Sequence, residues 1–311
     1  MEKVIVTGGA GFIGSHLAEE LANRGYSVVI LDDLSTGRME NIADLLAREN
    51  IEFVQGSITD VSLLQQLFRG VYYVFHLAAI PSVPRSIENP SASHEVNTTG
   101  TLNVLLSARD SGIKKIIYAS SSSVYGDTGT AAKREDIMPN PQSPYAVTKL
   151  TGEYYCRVFQ EVYGLPSVCL RYFNIYGPRQ DPNSQYAAVI PKFIRRVCEG
   201  SPPIIFGDGE QTRDFTFIKD ATEANILAAE SNATGVFNIG RSESVTINQL
   251  ARFVIKLVAN NSVEPVYDEP RPGDIRHSLA DISRARTLGY NPRYSLEEGL
   301  REIVRRSQGE T

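Results

Sequence analysis

Tyr145 and Lys149 stand four residues apart in the segment SPYAVTK. At i and i+4 of a helix their side chains leave the same face. A phenol beside an ammonium suits proton transfer. An ordinary tyrosine, with a pKa of about 10, holds its proton too firmly to act as a base near neutrality unless a fixed cation stabilises the phenolate. Ser121, within the run Ser120 to Ser123, supplies a hydroxyl to hydrogen-bond the reacting group. Upstream, TGGAGFIG spaces Gly8, Gly11 and Gly14 as G-x-x-G-x-x-G. Missing Cβ atoms let that backbone close on a pyrophosphate at a helix N-terminus, where free N–H groups and the helix dipole favour anions. Asp32 ends the next apolar run, about 20 residues on, where a ribose-binding acid is expected. A carboxylate there repels a 2′-phosphate, so NAD is expected rather than NADP, with Arg38 as the contrary signal.

These groups need a scaffold to bring them together. The apolar runs KVIVT, SVVILDD, EFVQG, YYVFHLAA, KKIIYAS and PSVCLRY are interleaved with helical patterns. That alternation predicts a parallel sheet covered on both faces. The fold class expected is α/β: a Rossmann-type doubly wound parallel sheet over residues 1–172, joined by a strand near 236–240, with a smaller α/β C-terminal substrate lobe over 173–311. The first helix is expected to end at Gly25. The helix carrying Tyr145 has Ser143 as N-cap, Pro144 at its first position, and Gly164 then Pro166 beyond its end.

A net charge of -5 over 311 residues offers no general attraction to nucleic acid or anionic membranes. No apolar stretch is long enough to span a bilayer and no leader precedes the first strand, so a soluble, cytoplasmic protein is expected. Three cysteines at wide spacings (Cys156, Cys169, Cys198) suit reduced, buried thiols. The four histidines, His16, His76, His94 and His277, fall at no zinc-ligand spacing. No metal is expected.

With SSSSVYGD, LRYFNIYGPRQ, GDGEQTRDF and RPGDIRHSLAD added to TGGAGFIGS and YAVTK, the chain resembles the extended short-chain dehydrogenases/reductases, and more narrowly the UDP-sugar 4-epimerases, over nearly its whole length. The resemblance implies an isomerase in which Tyr145 takes the proton of the sugar 4-OH while the C4 hydride passes to NAD⁺. The resulting 4-keto sugar, tethered by its UDP, turns over and receives the hydride on its other face. Ser121, four residues before Tyr125, matches the catalytic serine. Sugar-nucleotide 4,6-dehydratases carry an Asp-Glu pair where this chain has Ser122 and Ser123, and UDP-glucuronate decarboxylases a glutamate at the place of Ser123. A hydroxyl cannot replace a carboxylic acid as proton donor, so both reactions lack their machinery here.

By position, the resemblance adds Phe12 and Ile13, then Asp33, Ser35, Thr36 and Gly37, to the dinucleotide site. Ser57 and Ile58, the segment Leu77, Ala78 and Ala79, and Asn97 and Tyr172 complete it. For the UDP-sugar it implies Ser82, Arg85, Ser122, Asn174, Val189 and Arg213, and beyond them Arg271, Asp274 and Ser278. The arginines suit diphosphate oxygens, Asp274 a loop contact or a ribose hydroxyl. The plainer reading of Arg213–Asp214 and Arg271–Asp274 is a pair of surface ion pairs.

Ser278 matches a gate position where epimerases restricted to glucose and galactose often carry tyrosine. A small residue there leaves room for a C2 N-acetyl group, so UDP-GlcNAc and UDP-GalNAc are the expected substrates. A UDP-glucose 4-epimerase of galactose metabolism and a UDP-uronic acid 4-epimerase are the alternatives. From a different class comes a non-catalytic NAD sensor, although sensors of this fold usually lack the tyrosine or the lysine. Two departures bear on the sites: Ser57 replaces an aspartate near the adenine, and Pro81 replaces a lysine, with Arg85 as the candidate to supply its charge. A homodimer is expected through the helix around residues 92–110 and the one from Tyr145.

Overall fold

The computed structural model describes residues 1–129, 132–181, 188–258, 263–270 and 276–307. Strands β1 (Lys3–Thr7), β2 (Ser27–Asp32), β3 (Ile51–Gln55), β4 (Val71–His76), β5 (Lys115–Ser121) and β6 (Ser167–Tyr172) are joined by a seventh, Gly235–Ile239. All run parallel, in the order β3-β2-β1-β4-β5-β6 followed by Gly235–Ile239. Reversal of direction beside β1 opens a crevice at the strand C-termini, where ligands bind in sheets of this kind.

The helices are α1 (Phe12–Asn23), α2 (Val61–Leu67), α3 (Val83–Glu88), α4 (Pro90–His94), α5 (Gly100–Asp110), α6 (Pro144–Tyr163), α7 (Val189–Cys198), α8 (Ile218–Glu230) and α9 (Ile247–Val258), with a last one at Leu296–Ser307. β1 shows why both sheet faces are covered. Val4 and Val6 point into a core shared with Leu17 and Leu21 of α1 and Ala224 and Ala228 of α8. Ile5 points the other way, onto Val104 of α5 and Phe159 of α6. Each such fully buried aliphatic side chain contributes about 1.5–3 kcal/mol. The continuous apolar runs of the sequence are therefore strands buried on both sides.

A third core, built on Phe193, Phe217, Leu250 and Leu300, forms the lobe beyond the sheet. The chain does not stay in that lobe after Tyr172. α8 packs on α1, and Gly235–Ile239 pairs with β6 in register Val236↔Cys169.

α6 is capped as its sequence implies. Ser143 Oγ accepts from Ala146 N at 3.2 Å, and Gly164 ends the helix at φ 68°. Gly25 follows α1 at φ 87°. Residues 90–110 form one helical run interrupted by a π turn, Glu95–Thr99, which places Asn97 against α6. All three cysteines are free. Cys156 and Cys169 are buried as expected, but Cys198 is exposed because it ends α7 at the surface. Among the described residues no cluster of three metal-ligating side chains occurs and no helix is long and apolar enough to cross a membrane.

Candidate active site

β1 ends at Thr7, and the chain turns through Gly8 at φ 69°. A Cβ on Gly8 would come within 2.7 Å of the Ala78 nitrogen, and one on Gly14 within 2.2 Å of the Gly8 carbonyl. Backbone thus packs directly on backbone. Gly11 precedes α1 without capping it through a side chain, so the first-turn N–H groups of Phe12, Ile13 and Gly14 stay available at the wall of the cleft these residues line.

Asp32 closes the other side. Its Oδ2 accepts from Ala10 N at 2.9 Å and its Oδ1 from Leu34 N at 2.8 Å. Burial raises its pKa, and these two bonds oppose the rise. Gly37 leaves the carboxylate uncovered, since a Cβ there would fall 2.5 Å from Oδ1. Asp33, Ser35, Thr36, Ser57, Ile58, Leu77, Ala78, Ala79 and Tyr172 line the same cleft. Arg38 does not: its guanidinium pairs with Glu40 at 2.8 Å and Asp181 at 3.3 Å on the neighbouring, sugar-side cleft. The open helix end, the glycine cradle and the uncovered carboxylate fit NAD, with Arg38 turned away from Asp32 rather than toward a 2′-phosphate.

Asn97 stands behind this wall rather than in it. Its Oδ1 accepts from Ile80 N at 2.7 Å and its Nδ2 donates to Thr148 Oγ1 at 3.1 Å, tying the segment after β4 to α6. A second tie was not evident from residue types. Thr101 Oγ1 donates to the Asn97 carbonyl at 2.6 Å, so it accepts from His76 Nε2 at 2.9 Å. His76 Nδ1 then accepts from Thr7 Oγ1 at 2.8 Å, and Thr7 Oγ1 accepts from Ala78 N at 3.2 Å. This chain fixes the neutral Nε2–H tautomer. Burial, with Lys149 nearby, lowers the imidazole to about 3, so it stays uncharged and holds the ends of β1 and β4 in place.

Tyr145 N donates to Ser86 Oγ at 3.0 Å, which staples α3 to the start of α6. The phenol faces the junction of the two clefts beside Ser121, whose hydroxyl lowers its pKa against the effect of burial. Ser121 Oγ accepts from Ser123 N at 3.2 Å and meets Ser123 Oγ at 2.9 Å. Its own proton is then free to go to the phenol oxygen, the arrangement that favours a phenolate.

Lys149 lies less directly on the phenol than its spacing implies. Its Nζ donates to the Ala119 carbonyl at 2.8 Å and lies 6.0 Å from the Tyr145 ring centre. Burial lowers the ammonium to about 8 and raises the phenol above its usual value, with Ser121 opposing the latter. The protein alone therefore leaves Tyr145 protonated. The positive ring of NAD⁺, when bound, would supply the further charge that releases the proton.

The adjoining cleft gathers Ser82, Arg85, Ser121, Ser122, Asn174, Arg213 and Ser278 around Tyr145. Ser82 Oγ also caps α3, accepting from Arg85 N at 3.2 Å. Val189 packs on the core of the lobe, and its neighbour Ala188 lines the cleft instead. Lys133, absent from the sequence-based list, lines it as well. Arg271 and Asp274 lie outside the described residues.

Asp214 is not half of a surface ion pair with Arg213. It is fully buried and accepts three backbone N–H bonds, from Arg241 at 2.8 Å, Ser242 at 2.9 Å and Ala280 at 3.0 Å. Burial pushes its carboxyl up to about 6 against those bonds. It thereby joins the segment of Arg213 to the segment of Ser278. Asp214→Asn, which turns an NH₂ toward at least one of the three donors, is expected to cost about 2 kcal/mol in urea unfolding. KM for a UDP-sugar should rise with it.

Residues 4–240 match the model of the NAD dependent epimerase/dehydratase family. A putative UDP-glucose 4-epimerase of Methanocaldococcus jannaschii is 40% identical over 303 residues, with 97% of each chain covered. The structure of a UDP-N-acetylglucosamine 4-epimerase from Methanobrevibacter ruminantium, in complex with UDP-N-acetylmuramic acid, superposes with a TM-score of 0.96 at 43% identity, covering 99% of this chain and 98% of that one. A UDP-glucose 4-epimerase of Thermus thermophilus in complex with NAD gives 0.89 at 36% identity, covering 99% and 100%. With the glycine cradle, Asp32 and the Tyr145–Lys149 pair in one crevice, these matches identify the chain as an NAD-using enzyme of the UDP-sugar 4-epimerase group, a member of the NAD dependent epimerase/dehydratase family within the extended short-chain dehydrogenases/reductases.

Proposed function

We propose that the enzyme interconverts UDP-GlcNAc and UDP-GalNAc, and accepts UDP-glucose and UDP-galactose, through a 4-keto intermediate. The observation that carries the N-acetyl reading is Ser278, a small side chain on the wall of the cleft that holds Ser121 and Tyr145. The fully covered Methanobrevibacter neighbour, named for UDP-N-acetylglucosamine, supports it.

Tyr145 removes the proton of the 4-OH, with Ser121 steadying the phenolate, and returns it at the end of the cycle. When bound, NAD⁺ supplies the hydride acceptor for C4, the matching donor for the return, and the positive charge beside the phenol. Arg213, Asn174 and Arg271 hold the UDP firmly while the sugar is held loosely, because the 4-keto ring must offer both faces to one ring of the cofactor. Ser122 and Ser123 provide no carboxylic acid, and Ser123 is committed to Ser121, so neither dehydration nor decarboxylation has its proton donor.

A second reading, epimerisation of a UDP-uronic acid, is favoured by Arg85 and Lys133, two cations in the cleft that suit a C6 carboxylate. Incubation with UDP-GlcNAc, UDP-glucose and UDP-glucuronate separately, with products identified by NMR, separates the readings. Turnover of UDP-glucuronate alone would reject the N-acetyl one. Ser278→Tyr is expected to lower kcat/KM for UDP-GlcNAc by roughly 10- to 100-fold relative to UDP-glucose. Unchanged selectivity would remove Ser278 as the gate.

A second copy of the chain is the partner we propose for the outer face of α6. Val147, Tyr154, Val158 and Val162 form an exposed stripe there, with Val162 64% exposed. Sedimentation of the purified enzyme as a monomer at micromolar concentration would count against it. The expected site of action is the cytoplasm.

A further inference from the structure

Tyr145, Lys149 and Glu153 follow one another at i, i+4 and i+8 on α6, yet the third has no place in the proton transfer. Glu153 and Arg171 are 3% and 4% exposed. They meet in a two-pronged pair, Arg171 Nε to Oε1 at 2.9 Å and Nη2 to Oε2 at 2.7 Å. Ser120 Oγ donates to the same Oε1. The Arg171 guanidinium also lies over the Tyr125 ring, 4.6 Å from its centre. Ser120 and Tyr125 are the two ends of the segment that contains Ser121. The β5 terminus is thus tied through Glu153, and the turn after it is pressed by Arg171 itself.

From this geometry we infer that Glu153 and Arg171 are a positioning pair for the reaction, holding Ser121 in place beside Tyr145. The inference rests on the reading of Tyr145 and Ser121 as the reaction centre. Fold stability does not explain the pair, because desolvating two charges offsets most of their attraction, and apolar residues of similar size usually serve as well or better. Electrostatic tuning of Lys149 does not explain it either. Burial is what moves that ammonium, and the carboxylate is neutralised by its arginine. What the pair supplies is placement.

The same network reaches the sugar side. Tyr125 Oη donates to Asn238 Oδ1 at 2.7 Å, and Asn238 Nδ2 donates to the carbonyls of Lys133 at 2.9 Å and Asp281 at 3.1 Å. Lys133 N in turn donates to the Leu279 carbonyl at 2.8 Å, next to Ser278. The catalytic serine and the substrate gate hang on one buried chain of contacts.

The decisive comparison is wild type, Tyr145→Phe and the double variant Glu153→Met/Arg171→Met, each saturated with NAD and assayed over pH 5–9. An active wild type and an inactive Tyr145→Phe establish the reaction centre independently of the pair. The double variant is expected to unfold in urea no earlier than wild type and to bind NAD equally. Its kcat should fall at least tenfold with KM for the UDP-sugar little changed. Because Ser121 no longer steadies the phenolate, the acidic limb of its kcat profile should move to higher pH. Wild-type kcat, or a loss of kcat with an unmoved acidic limb, overturns the inference. Should the double variant fail to fold, Ser120→Ala, which leaves the ion pair intact, decides on the same two readouts at saturating NAD, because Ser120 also lines both clefts. A three- to tenfold loss of kcat with the same upward displacement is then the expected result.

Discussion

Tyr145→Phe is expected to lower turnover by about 10³-fold, within the usual worth of a positioned acid/base, while NAD stays bound and the fold intact. The variant deletes one oxygen, which stands beside Ser121 in the cleft. The backbone bonds that seat the residue, N–H to Ser86 Oγ and carbonyl to Thr148 Oγ1, do not involve the side chain. The stability cost should not exceed about 1 kcal/mol, the net worth of one hydrogen bond. NMR of UDP-GlcNAc incubations measures the loss, and the nicotinamide content of the purified variant checks retention of cofactor. Turnover within tenfold of wild type would assign the proton transfer to another group.

The parallel sheet was legible because parallel strands carry their own signature. KVIVT and SVVILDD are apolar without alternation, which only a strand covered on both faces tolerates. The site at its C-terminal edge was legible for a related reason: Gly8, Gly14 and Gly37 stand where a Cβ would strike the Ala78 backbone, the Gly8 carbonyl or the Asp32 carboxylate, so the type of residue records the geometry. Arg38 shows the limit of such reading. Its closeness to Asp32 in sequence argued for a phosphate, but the fold turns it to Asp181, far along the chain.

Residues whose meaning lies in distant partners were not legible. Thr7 and His76 are 69 positions apart, Asp214 and Ala280 66, Tyr145 and Ser86 59. Thr7, His76, Ser86, Asp214 and Ala280 are unremarkable residue types at ordinary local positions, and nothing local ties the backbone of Tyr145 to Ser86. The plainer alternative paired Asp214 with its neighbour Arg213 because adjacency is all that a sequence offers, whereas burial gave it to three backbone donors instead. Val189 and Ala188 show how fine the placement is. At the start of a helix one residue of rotation decides which faces the cleft, and boundaries of that kind are the least determined by local pattern.

Lys149→Met should separate stability from activity. The lysine is buried and its ammonium is lowered to about 8 by desolvation alone, so at neutral pH the native protein carries a charge that water would solvate better. A folded pKa below the unfolded value of about 10.5 means that the native state gains stability as pH rises through the interval between the two, and loses it again as pH falls through 8. The full span corresponds to on the order of 3 kcal/mol. Methionine, similar in length and uncharged, escapes this cost but gives up the bond to the Ala119 carbonyl. The variant is therefore expected to be more stable than wild type by about 1–2 kcal/mol at pH 7, with the advantage shrinking steadily between pH 8 and 10. Its turnover should nevertheless fall at least 100-fold, for want of the cation that helps keep the phenolate. In wild type the same titration predicts an activity that declines above pH 8 while the protein's resistance to urea, compared with the variant's, improves. Urea unfolding of both proteins at pH 7, 8.5 and 10 tests this directly: a stability difference independent of pH would mean that Lys149 titrates at its ordinary value and is not held charged against burial.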